Sequence, residues 1–260
     1  MPNSVESSNT LKIVIWRHGQ TDWNVENRFQ GHSDIPLNKV GEFQVNHAAQ
    51  ILAALKPARI ISSDLIRTKQ TAQALADLVN VPVELNSKLR ETNGGKWEGK
   101  TGTENRAADG ELFTRWIDGH DDPAGHTGER RSEVAARAIS VIDELIETKT
   151  FGTIVLVTHG GTARCLLGSV LNLPMSEWSV IGGLSNACWS ILETSKHQMN
   201  NLNNSKSFSE NRKSSAGKFR WFLAEHNAGS LPEPVIGDDR SEEHTSELPV
   251  TRSSRMPSSA

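Results

Sequence analysis

Two short β-branched runs in this chain stop abruptly at the same kind of sequence. Leu11-Lys-Ile-Val-Ile-Trp16 gives way at once to Arg17-His18-Gly19, and Thr153-Ile-Val-Leu-Val-Thr158 gives way to His159-Gly160-Gly161. Runs this short and this apolar read as strands buried on both faces, a situation that a helix-covered parallel sheet provides. Arg59-Ile-Ile-Ser62 is a further strand, Val81–Leu85 a short one, and Ala187–Leu192 and Phe219–Ala224 are late candidates. Helical spacing fills the gaps. A helix over Asn38–Leu55 is expected to turn Val40, Phe43, Ala48, Ile51, Leu52 and Leu55 inward. One over Leu65–Val79 has Asp64 as its cap, and others cover Arg130–Glu147 and Thr162–Leu171. Strands alternating with helices predict a three-layer α/β/α fold: a mostly parallel central sheet with helices on both faces.

The pattern does not fill the chain. Residues 1–10 are polar and read as a disordered N-terminus without a secretory signal. The ordered body is expected over 11–226, with a lid of loops at 93–128 holding one short helix near Leu112–Trp116. Residues 195–217, dominated by Asn, Ser and Lys, read as a disordered insert or hairpin tip. Residues 227–260 read as a disordered tail. Within it, Arg240-Ser-Glu-Glu-His-Thr-Ser-Glu-Leu248 resembles the translation of a sequencing-library adapter, so about 240–260 is set aside as an assembly artefact.

Composition narrows the function. A formal net charge of −3 lacks the basic excess of a general nucleic-acid binder, and no run of 18 apolar residues spans a membrane. Cys165 and Cys188 lie in apolar segments and read as free thiols; no Cys-x-x-Cys pair suggests zinc. A cytoplasmic protein is expected.

Ligands of open α/β sheets bind beyond the strand ends, where this chain places Arg17, His18, Arg67 and His159. Two guanidinium forks and two imidazoles make an anion site, with phosphate as its best guest. Gly19, Gly160 and Gly161 are expected to let backbone N–H groups approach the same anion.

The series Arg17-His-Gly-Gln-Thr21 with Asn24, then Arg67, Glu91 and His159-Gly160, resembles the histidine phosphatase (phosphoglycerate-mutase-like) superfamily over about Leu11–Ala224. The resemblance implies that His18 is the nucleophile, forming a phosphohistidine. Arg17, Arg67 and His159 would hold the phosphoryl oxygens, Asn24 would donate a further bond, and Glu91 would be the general acid. Thr21, Gln30, Gly31 and Gly160 join Asn24 as substrate-binding candidates. No metal and no cofactor is implied. The partner is a phosphorylated small molecule, neither nucleic acid nor membrane, and homodimers are common in the family.

Within the superfamily, Arg17–Asn24 with Gln30-Gly31, and Ile181-Gly-Gly-Leu-Ser-Asn-Ala-Cys-Trp189, resemble the actinobacterial branch acting on glucosyl-3-phosphoglycerate. The alternatives are a broad-specificity phosphatase and a 2,3-bisphosphoglycerate-dependent mutase; a non-catalytic phospho-ligand binder stands further off. Against the mutase, its tyrosine and lysine positions read Gly94 and about Gly102, the chain has no tyrosine, and Arg130-Arg131 substitutes poorly for its paired arginines. Glu129 resembles the family's Gly-Glu-Ser segment, with Arg130 in place of the serine. Trp23 and Trp97 flank the motifs as candidate pocket walls. His32, His47, His120, His126 and His197 are expected to be solvated or loop residues.

Overall fold

A computed structural model of the chain describes residues 10–194, 216 and 219–229. The N-terminal segment before residue 10, nearly all of the Asn/Ser-rich insert and the tail from 230 lie outside the described residues.

Strands β1 (Leu11–Arg17), β2 (Arg59–Ser62), β3 (Val83–Leu85), β4 (Gly152–Thr158), β5 (Trp189–Thr194) and β6 (Trp221–Ala228) form one sheet in the order β3-β2-β4-β1-β5-β6. The first four run parallel; β5 is antiparallel to β1, and β6 to β5. The period-two alternation of the central strands divides the core. Ile13, Ile15, Ile154 and Leu156 point to one face, Val14, Trp16, Val155 and Val157 to the other. The first face is covered by α6 (Arg131–Glu147) and α7 (Gly160–Val170), the second by α2 (Lys39–Ala53) and α3 (Ile66–Val79), numbering a one-turn helix at Asp22–Val25 as α1. Among the described residues, no helix is long and apolar enough to cross a membrane.

Four local expectations are corrected. Helix α2 is partly rotated from its expected phase: Ala48 and Leu52 are buried as expected, but Val40, Phe43 and Ile51 are 40%, 53% and 45% exposed, and Gly41, Gln44 and Val45 are buried instead. The cause is close approach. A Cβ on Gly19 would lie 2.5 Å from the Gly41 carbonyl, and one on Gly41 would lie 2.1 Å from that of Gln20. Gln44 Oε1 accepts from the Gln20 N–H at 2.9 Å. The helix therefore packs Gly41 and Gln44 on the loop that follows β1, which leaves Val40, Phe43 and Ile51 facing outward while Val45, Ala48 and Leu52 enter the core.

Asp64 does not cap α3. Its carboxylate takes both arms of Arg90 at 2.7 Å, and the Ile66 N–H finds Asp34 Oδ1 at 2.5 Å. The sheet also runs past 226, because β6 continues to Ala228, paired with Trp189. Asn227 is held there by the Ser185 N–H at 2.7 Å.

The 93–128 segment contains two helices, α4 (Gly102–Ala108) and α5 (Gly110–Ile117). The first was not expected, although Thr101 and Glu104 form a reciprocal capping box that marks its start. Phe29, Trp97, Phe113 and Trp116 pack as a separate aromatic cluster beneath these helices.

Candidate active site

The loops leaving β1, β2 and β4 are laced together by backbone bonds. The His18 N–H donates to Thr158 O at 3.1 Å, and the Ser63 N–H donates to Val157 O at 2.9 Å. Arg17, His18, Gln30, Gly31, Arg67, Glu91 and Gly160 consequently line one cavity. His159 is buried beside it, 5.2 Å from His18 between ring centroids. Thr21 and Asn24 are absent from the lining. They form a capping box around α1, where Asn24 Oδ1 also accepts from Asn186 Nδ2 at 3.2 Å.

The hydrogen bonds assign the imidazole protons. His18 Nδ1 lies 2.7 Å from Gly19 O, a carbonyl that can only accept, so Nδ1 carries the proton and Nε2 holds the lone pair. Nε2 makes no hydrogen bond to another described residue. Both guanidiniums reinforce the neutral ring: burial, then Arg67, then Arg17 hold the His18 pKa well below its ordinary value of 6.5.

His159 is committed differently. Arg67 Nε donates to its Nδ1 at 3.1 Å, which leaves the proton on Nε2, 2.9 Å from Ser63 Oγ. With both nitrogens engaged, His159 holds Arg67 instead of presenting an N–H to the cavity. Burial and then Arg67 keep it neutral also. Arg67 is further fixed by Nη1 to Ser33 O and Nη2 to Gly31 O, each 2.8 Å, and Arg17 Nη1 donates to Leu184 O at 2.7 Å.

These two imidazoles carry a pH prediction. An unfolded chain takes up both protons around pH 6.5, and the folded chain resists doing so. Their contribution to stability is therefore present above pH 6.5 and lost as pH falls below it. In a histidine NMR titration, His18 and His159 should keep neutral-ring shifts through pH 6.5. A midpoint at or above that value for either ring would contradict the assignment.

Glu91 sits on the N-terminus of α7. Its Oε1 accepts from the Thr92 N–H at 2.7 Å and the Thr162 N–H at 3.1 Å; its Oε2 accepts from the Gly161 N–H at 3.1 Å. The glycine expectations are corrected accordingly. The Gly161 N–H is taken by Glu91 and the Gly19 N–H by Thr71 Oγ1 at 3.2 Å, so neither is directed at a bound phosphate. Gly161 is small for another reason: a Cβ there would lie 2.7 Å from Glu91 Oε1.

Several residues to which the sequence assigned no role at the site support it. Asn186 Nδ2 and the Ala187 N–H both donate to His18 O, at 3.1 and 3.0 Å. His32 is no bystander: its Nε2 donates to Glu91 O at 2.9 Å, beside Arg137 Nη2 at the same distance. Arg137 also chelates Glu129 at 2.8 and 2.9 Å, which gives Glu129 a partner despite Arg130 at the serine position. Burial raises the Glu129 pKa, but Arg137 and the Asn93 N–H outweigh it and lower it overall. The aromatic walls are Phe29 and Trp116; neither Trp23 nor Trp97 lines the cavity.

The model of the histidine phosphatase superfamily (branch 1) matches residues 13–205. The chain belongs to that superfamily. Among curated relatives, a glucosyl-3-phosphoglycerate phosphatase from Mycolicibacterium vanbaalenii is 40% identical over 187 residues, covering 68% of this chain and 82% of the relative. One of the same name from Mycobacterium tuberculosis is 37% identical over 191 residues, covering 70% and 84%. A probable phosphoglycerate mutase from Yersinia enterocolitica is 34% identical over 164 residues, covering 63% and 76%. The solved mycobacterial glucosyl-3-phosphoglycerate phosphatase in complex with VO3 superposes with a TM-score of 0.71 at 33% identity, covering 84% of this chain and all of that one.

Within this superfamily, a mutase needs donors that retain a second phosphate. Arg131, the nearest substitute by position, is buried against Trp116, its guanidinium carbon 4.1 Å from the ring centroid and Nη2 bonded to Trp116 O at 2.8 Å. It is absent from the cavity lining. Gly94 packs on Phe29, where a Cβ would lie 2.5 Å from the ring.

Proposed function

We propose that the chain hydrolyses a phosphomonoester in two steps through a phosphohistidine at His18. The observation that carries this is the Nε2 lone pair, held ready in the cavity by the Nδ1–Gly19 bond and flanked by Arg17 and Arg67. In the first step Nε2 attacks phosphorus, the P–O bond to the alcohol breaks, and Glu91 gives its proton to the departing oxygen. In the second, the Glu91 carboxylate takes a proton from water, the oxygen attacks phosphorus, and the P–N bond breaks to release inorganic phosphate. Arg17 and Arg67 supply the positive field as charge spreads over the phosphoryl oxygens, with His159 aiming Arg67 through its Nε. Turnover is expected to survive EDTA, because each of these roles is filled by a side chain.

Glucosyl-3-phosphoglycerate is the proposed substrate, supported by the names of the relatives at 37–40% identity. A cytoplasmic location and a homodimeric state belong to the same reading. The mutase alternative draws on the relatives named probable phosphoglycerate mutase, and one assay series separates the two. Phosphate release is measured from glucosyl-3-phosphoglycerate, from p-nitrophenyl phosphate and from a panel of sugar phosphates, and 3-phosphoglycerate is fed with 2,3-bisphosphoglycerate. A kcat/KM highest for glucosyl-3-phosphoglycerate supports the proposal. Equal values across the panel make the enzyme a broad-specificity phosphatase, and rapid formation of 2-phosphoglycerate makes it a mutase.

A further inference from the structure

We propose that Arg164 receives a second anionic group of the substrate, a carboxylate borne on the alcohol portion of the phosphomonoester. Arg164 lies on α7 one turn beyond Gly160 and Gly161, and it lines the same cavity although its side chain is buried. Its Nε donates to Ile181 O at 3.1 Å, which fixes the plane of the guanidinium. Gly183 opens the wall beside it: a Cβ there would meet nothing within 4 Å except Arg164 Nη2 at 3.8 Å.

Charge accounting points the same way. The charged residues of the lining are Arg17, Arg67, Arg164 and Glu91. Arg67 and Arg17 are the cations that act on the reacting nitrogen of His18, and Arg164 adds a third cationic group to the same lining. A single planar fork suits a carboxylate, whereas a second phosphate would call for several converging donors like those at His18.

The assignment rests on the phosphatase reading, and two esters of nearly one shape test it. 3-Phosphoglycerate carries a carboxylate where glycerol 3-phosphate carries a hydroxymethyl group. The unmodified enzyme should prefer the former by about 30-fold or more in kcat/KM, as a site built for a charged hydrogen-bond partner does. Arg164→Gln should collapse that ratio to within about threefold, and Arg164→Lys should restore part of it, since lysine keeps the charge without the fork. Gly183→Asp is a second route, because it sets a carboxylate of the protein beside the guanidinium. Gly183 is exposed and has no positive φ, so the side chain is accommodated. Each ratio is taken within one protein, which cancels any difference in the folded fraction. Absence of turnover of every phosphomonoester overturns the phosphatase reading itself. Equal turnover of the two esters by the unmodified enzyme, or an unchanged ratio in both Arg164→Gln and Gly183→Asp, overturns the Arg164 assignment alone.

Discussion

His18→Ala is expected to abolish phosphoenzyme and to lower kcat by at least about 10⁴-fold, the scale on which removal of a covalent nucleophile is felt when the rest of the site survives. The survival is predictable. Among the described residues the His18 side chain makes one hydrogen bond, to Gly19 O, and the backbone around it is held independently by Thr158, Asn186 and Ala187. Its removal leaves a small void between Arg17 and Arg67 and relieves the cost of burying an imidazole between two cations. Melting temperature should therefore change by only a few degrees, and phosphate or vanadate should still bind. The measurements are a steady-state rate on p-nitrophenyl phosphate and a base-quenched trap of labelled protein. A variant that keeps more than a tenth of the normal rate would remove His18 from the covalent step.

How much of this could be read from the sequence depends on the range of the interactions involved. β1, β2 and β4 were legible because each is a short apolar run whose burial on both faces leaves no other arrangement, and the polar residues at their ends followed. The phase of α2 was not. It is set by contact between Gly19, Gln20 and Gly41, which are about twenty residues apart, and large apolar residues such as Phe43 mislead a periodicity argument. The capping box at Thr101 was visible in principle and marks α4. The roles of Asn186, His32 and Arg137 carry no local signal, since each acts on a backbone carbonyl brought to it by the fold. The commitment of both His159 nitrogens was equally hidden: residue type announces a phosphate ligand, and only the positions of Arg67 and Ser63 reveal an imidazole spent on aiming its neighbour.

Glu91→Gln is expected to divide the reaction in two. Amide and carboxylate have one shape, so the side chain keeps Oε1 on the Thr92 and Thr162 N–H groups and turns its NH2 toward the Gly161 N–H, where two donors then face each other. That mismatch costs about 1 kcal/mol of stability, the value of one ordinary hydrogen bond. The chemical loss is larger and depends on the leaving group. An alkoxide needs a proton to depart, so kcat/KM for a sugar or glycerate phosphate should fall by about 10²–10⁴-fold. A nitrophenolate departs without one, so phosphorylation by p-nitrophenyl phosphate should slow far less. Water then attacks the phosphohistidine without a base, and the intermediate accumulates. A burst of nitrophenolate equal to the enzyme concentration, followed by a slow steady state, is the expected trace. A simple packing role for Glu91 would depress both esters alike and give no burst. That outcome would transfer the proton to another group and reduce Glu91 to the cap of α7.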